Sequence, residues 1–178
     1  MKTPLQLAAL AVWCLATTAA AQDPAAPVSD AFRSVAKHSA TNLVAAAEEM
    51  PAGKYGFKPT PAQMSVGDIV AHLSEGNDFL CSKVGGVEAP KRAELAKGAP
   101  KEKLVARLRE TFEFCESALA KVNDSKLSEK LPFFGGHEVS RAEAMFVTAE
   151  DWADHYSQLA IYLRLNGLLP PTAKRKEA

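Results

Sequence analysis

Proline and glycine cut this chain into four apolar-striped segments of about twenty residues each, and that punctuation limits the fold more than any other feature. Pro51, Gly53, Gly56, Pro59 and Pro61 close the first segment, and Gly85-Gly86 close the second. The stretch Leu131-Pro-Phe-Phe-Gly-Gly136 separates the third from the fourth, which runs into Gly167 and Pro170-Pro171. Proline has no backbone N–H and its ring clashes with the preceding turn, so helices stop at these points. Inside the segments the apolar residues recur with a 3.6-residue period.

The first helix is expected from about Asp30 to Met50, capped by Ser29 or Asp30, with Phe32, Val35, Ala36, Ser39, Leu43, Ala47 and Met50 on its apolar face. The second starts at Ser65, where Asp68 has near-capping-box spacing, and ends near Val84. The third spans about Lys101 to Val122 through Leu104, Leu108, Phe112, Cys115 and Leu119. The fourth opens at Ser140, with Glu143 three residues on, and runs to Asn166 before a terminating Gly167. No stretch alternates apolar and polar residues for long enough to predict a strand, and no internal repeat is present. Four one-faced helices must bury those faces on each other. The expected fold is therefore an all-α four-helix bundle over residues 29–171, between a linker at 22–28 and a flexible tail at 172–178.

The sixteen-residue link from Gly85 to Pro100 is long enough to cross the bundle and start the third helix parallel to the second. Parallel helices bring Cys81 and Cys115 to within about 3 Å in height, whereas antiparallel ones separate them by about 16 Å. A disulfide between Cys81 and Cys115 is thus compatible only with the parallel arrangement. Two buried thiols are the alternative.

Residues 1–21 read as a secretion signal: Lys2, an apolar stretch from Leu5 to Ala16, and Ala19-Ala20-Ala21 as a cleavage site. The expected location is the periplasm or the exterior, an oxidising setting that permits a disulfide. The apolar stretch is shorter than the ~20 residues a membrane span requires, so no stable span is expected once the signal is removed. The signal holds one of the 21 basic residues and none of the 21 acidic ones, which leaves a net charge of −1 on the remaining 157 residues. Near-neutral charge without a basic block excludes nucleic acid as a natural partner. A small-molecule ligand and a homodimer are both compatible with this composition.

Chemistry concentrates in one place. Asp151 and His155 lie one turn apart on the fourth helix, on the side that also carries Trp152, Leu159 and Tyr162. His72 sits in an apolar run on the second helix, followed one turn later by Gly76, which leaves free volume. Burying two imidazoles and a carboxylate costs several kcal/mol unless each is paired. A divalent cation supplies that pairing, and two histidines with one carboxylate suit zinc, nickel or iron. Thr148 or Gln158 could orient a ligand or hold a water, and Trp152, Tyr162 and Gly76 could line a pocket. Asp151–His155 at this spacing also suits a simple ion pair, and His72 a hydrogen-bonded core residue. Glu75 and Glu150 are close enough in angle to serve as spare ligands. His38 reads as a boundary residue and His137 as a loop residue.

Met50-Pro51, Tyr55-Gly-Phe-Lys-Pro59, Val66-Gly-Asp-Ile-Val-Ala-His-Leu73, Asp154-His-Tyr-Ser-Gln-Leu159 and Tyr162-Leu-Arg-Leu-Asn-Gly167 occur in order across nearly the whole chain. Together these motifs resemble the DinB/YfiT-like superfamily of four-helix-bundle metalloenzymes. The resemblance implies an up-down-down-up bundle. It also implies a metal held by three histidines, one on the second helix and two spaced i, i+4 on the fourth. His72 and His155 match, while Asp151 stands at the remaining position. Members of known activity include thiol-dependent transferases and isomerases in which a metal lowers the pKa of a thiol or water. An exported member stands apart from the cytosolic thiols that such transferases use. The implied function is an exported metal-dependent transferase or hydrolase; a non-catalytic small-ligand-binding or structural bundle is the alternative.

Overall fold

The computed structural model describes residues 26–174. The expected secretion signal and most of the expected linker lie outside the described residues. Four helices, α1 (Pro27–Glu49), α2 (Val66–Gly85), α3 (Lys101–Leu119) and α4 (Arg141–Leu165), build the protein. Side-chain pairings fix how they run. Asn77 bonds Thr111, Cys81 is bridged to Cys115, and Gly85 packs on Ala118. Residue numbers rise together along α2 and α3, so these helices are parallel. Between α2 and α4 they rise in opposition: Met64 meets Tyr162, His72 meets Asp151, Asn77 meets Trp152 and Val84 meets Arg141. On α1 and α3, Arg33 reaches Leu119 and Val122 while Glu48 accepts from Lys101, another antiparallel pair. The result is the up-down-down-up bundle that the family resemblance implies, with α2 and α3 parallel as the long link allows.

Phe32, Leu43, Met50, Ile69, Leu73, Leu108, Leu119, Trp152, Leu159 and Leu163 form the centre of the core. The crossover from α2 to α3 has no regular structure and is pinned by Arg92. Its guanidinium donates to Asp78 from Nε at 2.6 Å and also reaches Glu110. At the start of α2 the Ser65 hydroxyl accepts from the Asp68 amide, and the Asp68 carboxylate accepts from the Ser65 amide, completing a capping box. The helix ends at Gly86, whose φ of 67° is the left-handed conformation that favours glycine.

Several sequence-based bounds are corrected. α1 begins at Pro27, inside the expected linker, because its N-terminal amides are served from a distance. The Asp124 carboxylate accepts from the amides of Val28 and Ser29 and from the Ser29 hydroxyl. Val35 does not belong to the buried face; it is 43% exposed. α3 stops at Leu119, before the expected Val122, although Val122 is still buried. A hairpin absent from the sequence reading joins α3 to α4. Its strands, β1 (Lys130–Pro132) and β2 (Glu138–Ser140), pair antiparallel with Leu131 opposite Val139. Three-residue strands with a terminal proline are too short to show alternation. The folded chain also continues past the expected start of the tail. Thr172 accepts from the Tyr156 hydroxyl at 2.8 Å, and Lys174 pairs with Glu49. Among the described residues no helix is long and apolar enough to cross a membrane.

Candidate metal centre

His72 lies in the middle of α2, and Asp151 and His155 lie one turn apart on α4, facing it. Because α2 and α4 are antiparallel neighbours, the turn carrying His72 and Gly76 stands level with the turn carrying Asp151 and His155. Asp151 Oδ1 is 3.4 Å from His155 Nε2 and 3.7 Å from His72 Nε2. The imidazole rings meet edge-on with centroids 4.8 Å apart. Ligand-capable atoms of the three residues all lie within 4.8 Å of one another. Atoms about 2.1 Å from a tetrahedral zinc ion lie about 3.4 Å apart, so a small inward shift of the His72 side chain brings the set to coordinating distance.

Burial is graded across the cluster, which corrects the expectation of a site enclosed in the core. The side chain of His155 is 9% exposed, that of Asp151 22% and that of His72 48%. The cluster therefore lies on the seam between α2 and α4 and reaches solvent at His72. Gly76 leaves the Asp151 side unobstructed: a Cβ there would meet only Asp151 Oδ2, at 3.8 Å.

Two buried atoms in the cluster, Asp151 Oδ2 and His155 Nδ1, have no hydrogen-bond partner. Buried polar atoms are nearly always satisfied, so these orphans point to a missing ligand or water. Asp151 also raises the His155 imidazole above its ordinary pKa, against the opposing effect of burial, with a smaller contribution from Asp154. A metal must displace that proton, so its affinity increases with pH. The donor set, one carboxylate with two imidazoles, fits zinc, nickel or iron.

The other sequence-selected residues divide into two groups. Trp152 and Tyr162 are core anchors rather than pocket walls. The Trp152 indole is enclosed by Phe32 and Phe112 and donates to Asn77 Oδ1 at 2.7 Å. Tyr162 donates its hydroxyl to the Met64 carbonyl and packs edge-on with Phe57. Thr148 spends its hydroxyl on the Ala144 carbonyl at 2.7 Å, and Gln158 donates to Asp154. Neither holds the metal-facing atoms of the cluster. Glu75 and Glu150 are exposed and outside the cluster, His38 is exposed beside Asn42, and His137 is exposed on the hairpin. Cys81 and Cys115 are joined, with Cα atoms 5.1 Å apart.

Sequence reasoning missed Asn77, which is fully buried and links three helices through Trp152 and Thr111. A polar residue on the apolar side between Leu73 and Leu80 was the available signal. It also missed Arg141, which is buried at the start of α4, donates to the Val84 carbonyl and pairs with Glu129. Its guanidinium ties the C-terminus of α2 to the N-terminus of α4.

A family model described as the DinB superfamily matches residues 36–159, well over half of the sequence. The chain belongs to the DinB superfamily. No curated protein matches it. Among solved structures, a DinB-like protein from Bacillus subtilis superposes with a TM-score of 0.64 at 18% identity, covering 82% of this chain and 99% of that one. A DinB-like protein from Bacillus cereus gives 0.64 at 14% identity, covering 80% and 95%. A variant of a mycothiol-dependent maleylpyruvate isomerase gives 0.51 at 12% identity, covering 74% of this chain and 60% of that one. At these identities the likeness establishes the DinB-like helical fold. The cluster His72–Asp151–His155 lies on the α2–α4 seam of that fold.

Proposed function

We propose that this DinB superfamily member is an exported metal-dependent enzyme. One divalent ion, zinc, nickel or iron, is held by His72, Asp151 and His155, and the protein acts as a transferase or hydrolase on a small molecule. The convergence of the two imidazoles on Asp151 Oδ1, with Asp151 Oδ2 and His155 Nδ1 left unpartnered in the same cluster, carries this reading. The bound ion supplies Lewis acidity toward a water, thiol or carbonyl group. Asp151 offsets part of the ion's charge and sets the spacing of the two imidazoles. His155 anchors the site from the buried side, and the core around Trp152 keeps water from its rear. His72, half exposed, leaves the approach to the site open to substrate. Export rests on the N-terminal signal pattern and on the Cys81–Cys115 bridge, which suits an oxidising compartment.

Elemental analysis of untagged protein tests the reading. About one metal per chain is expected for wild type, with loss in His72→Ala and in His155→Ala. Equal metal content in wild type and both variants overturns it.

A second reading, a non-catalytic carrier of small ligands, is supported by a groove between α1 and α3. The groove has a volume of about 900 Å³ and is floored by Ala36, Ala40, Val44, Phe112 and Leu119. That volume is within the range of small-molecule sites. A ligand-induced rise in Tm that survives both chelator and Asp151→Ala would favour this reading over the first.

A further inference from the structure

The face of α2 that carries His72 continues past the metal cluster. On α2, Phe79 follows His72 by seven residues, which keeps it on the same helix face about 10 Å further along. Gly76 lies between them on that face and contributes no side chain; a Cβ there would touch only Asp151 Oδ2, at 3.8 Å. On the facing wall, helical spacing places Val147 one turn before Asp151. Beyond Gly76 the hairpin folds an aromatic shelf onto α2. Phe134 stacks on Phe79 with centroids 4.3 Å apart and planes inclined by 27°, while Phe133 contacts both rings, at 5.8 Å from Phe79 and 4.7 Å from Phe134. Lys83 Nζ lies 5.4 Å from the centre of the Phe79 ring.

Packing alone does not account for this shelf. Phe134 is 54% exposed at the tip of a hairpin bent back by Gly135 and Gly136, both at positive φ. An exposed aromatic beside partly buried ones forms an apolar patch of the kind that marks a recognition surface. Here it stands about 10 Å along the same face of α2 from the one group of side chains suited to a metal among the described residues.

We propose that Phe79, Phe133 and Phe134 form the specificity subsite of the metal centre. They bind the aryl or other flat apolar portion of an elongated small molecule whose polar head reaches the ion at His72–Asp151–His155. The distance between the two ends selects ligands with an apolar body of about 10 Å. Offset and edge-on stacking favours aromatic rings over saturated chains of equal length. This assignment rests on the metal reading above.

The test uses the full mature chain loaded with zinc. Zinc binding is measured first by calorimetry with zinc alone. Binding of 6-phenylhexane-1-thiol and of propane-1-thiol to the loaded protein is then compared for wild type, Phe134→Ala and Phe79→Leu. The expected result is tighter binding of the phenyl probe by wild type, with a roughly tenfold loss in each variant. Zinc affinity and propanethiol affinity should be unchanged. Equal affinity of wild type for the two thiols overturns the subsite alone, as does a loss of the same size for both thiols in the variants. No zinc uptake by wild type overturns the metal reading and the subsite with it. Phe134 is exposed, so its truncation leaves the fold intact, and circular dichroism confirms this for Phe79→Leu.

Discussion

Asn77 accepts the indole N–H of Trp152 at 2.7 Å, with both side chains fully buried. Its amide also donates to Thr111 Oγ1 at 3.1 Å, so a single side chain on α2 holds α4 and α3. Asn77→Ala strands the indole N–H in an apolar interior and removes the donor to Thr111 Oγ1, whose hydroxyl keeps its bond to the Leu108 carbonyl. A destabilisation of about 1–3 kcal/mol is expected, the cost of unsatisfied buried groups. Urea unfolding followed by tryptophan fluorescence checks it, and an unchanged midpoint would contradict it.

Two glycines of α2 respond to alanine in opposite directions. At Gly76 the added methyl finds ordinary contact at 3.8 Å, so Gly76→Ala should stabilise the helix by about 0.5–1 kcal/mol. At Gly85 the new Cβ would stand 2.5 Å from the Ala118 carbonyl oxygen, backbone that cannot move aside cheaply. Gly85→Ala should lose about 1–3 kcal/mol by forcing α2 and α3 apart. Thermal unfolding of the pair gives the two signs directly.

Restoring a histidine at position 151 tests the ligand assignment. Asp151→His supplies a third imidazole on the same face and removes a carboxylate that raises the proton affinity of His155. Zinc should bind more tightly, and binding should persist to lower pH. Competition with a chromophoric chelator measures both, and weaker zinc binding by this variant would count against the cluster as the metal site.

The Cys81–Cys115 bridge closes a loop with a sequence separation of 34. The chain-entropy relation gives about 3–4 kcal/mol for a loop of that length. Reduction, or the double change Cys81→Ser with Cys115→Ser, should lower Tm without altering secondary structure. Unfolding scans with and without reductant measure this effect.

Asp68 and Asp124 give the acid limb of stability. The Ser65 hydroxyl and amide hold the Asp68 carboxyl below its usual value of 3.8. At Asp124 desolvation works the other way, but the Ser29 hydroxyl and the Val28 and Ser29 amides outweigh it and lower that carboxyl also. A folded pKa below the unfolded one adds stability above the unfolded value, and that stability is lost as pH falls through the folded value. Tm should therefore drop below about pH 4, and Asp68→Asn and Asp124→Asn should each flatten the drop. A wild-type-like acid limb in both variants would contradict the assignment.

Helix count and most ends were legible in the sequence because proline, glycine and capping residues act locally, while the parallel course of α2 and α3 was suggested only by the length of their link. Ser65 with Asp68 and Gly85 with Gly86 marked α2 almost to the residue. α1 was placed too late because Asp124, almost a hundred residues away, does the work that a local cap would advertise. The three residues of the cluster could be named from helical spacing, yet their exposure could not. His72 looked buried among Ile69 and Leu73, and its position at the edge of the seam follows from how far α2 and α4 rotate against each other. The aromatic shelf was illegible for a similar reason, since the short loop between β1 and β2 carries no periodicity to place Phe133 and Phe134 over Phe79.

The parallel course of α2 and α3 also sets the order in which chemistry becomes available to the growing chain. His72 emerges early, and the Cys81–Cys115 bridge can form once α3 is complete, but Asp151 and His155 arrive only with the last helix. A chain that stops short of α4 has His72 alone of the three clustered side chains. The complete cluster is thus a property of the finished bundle, since its three side chains come together only when α4 packs against α2.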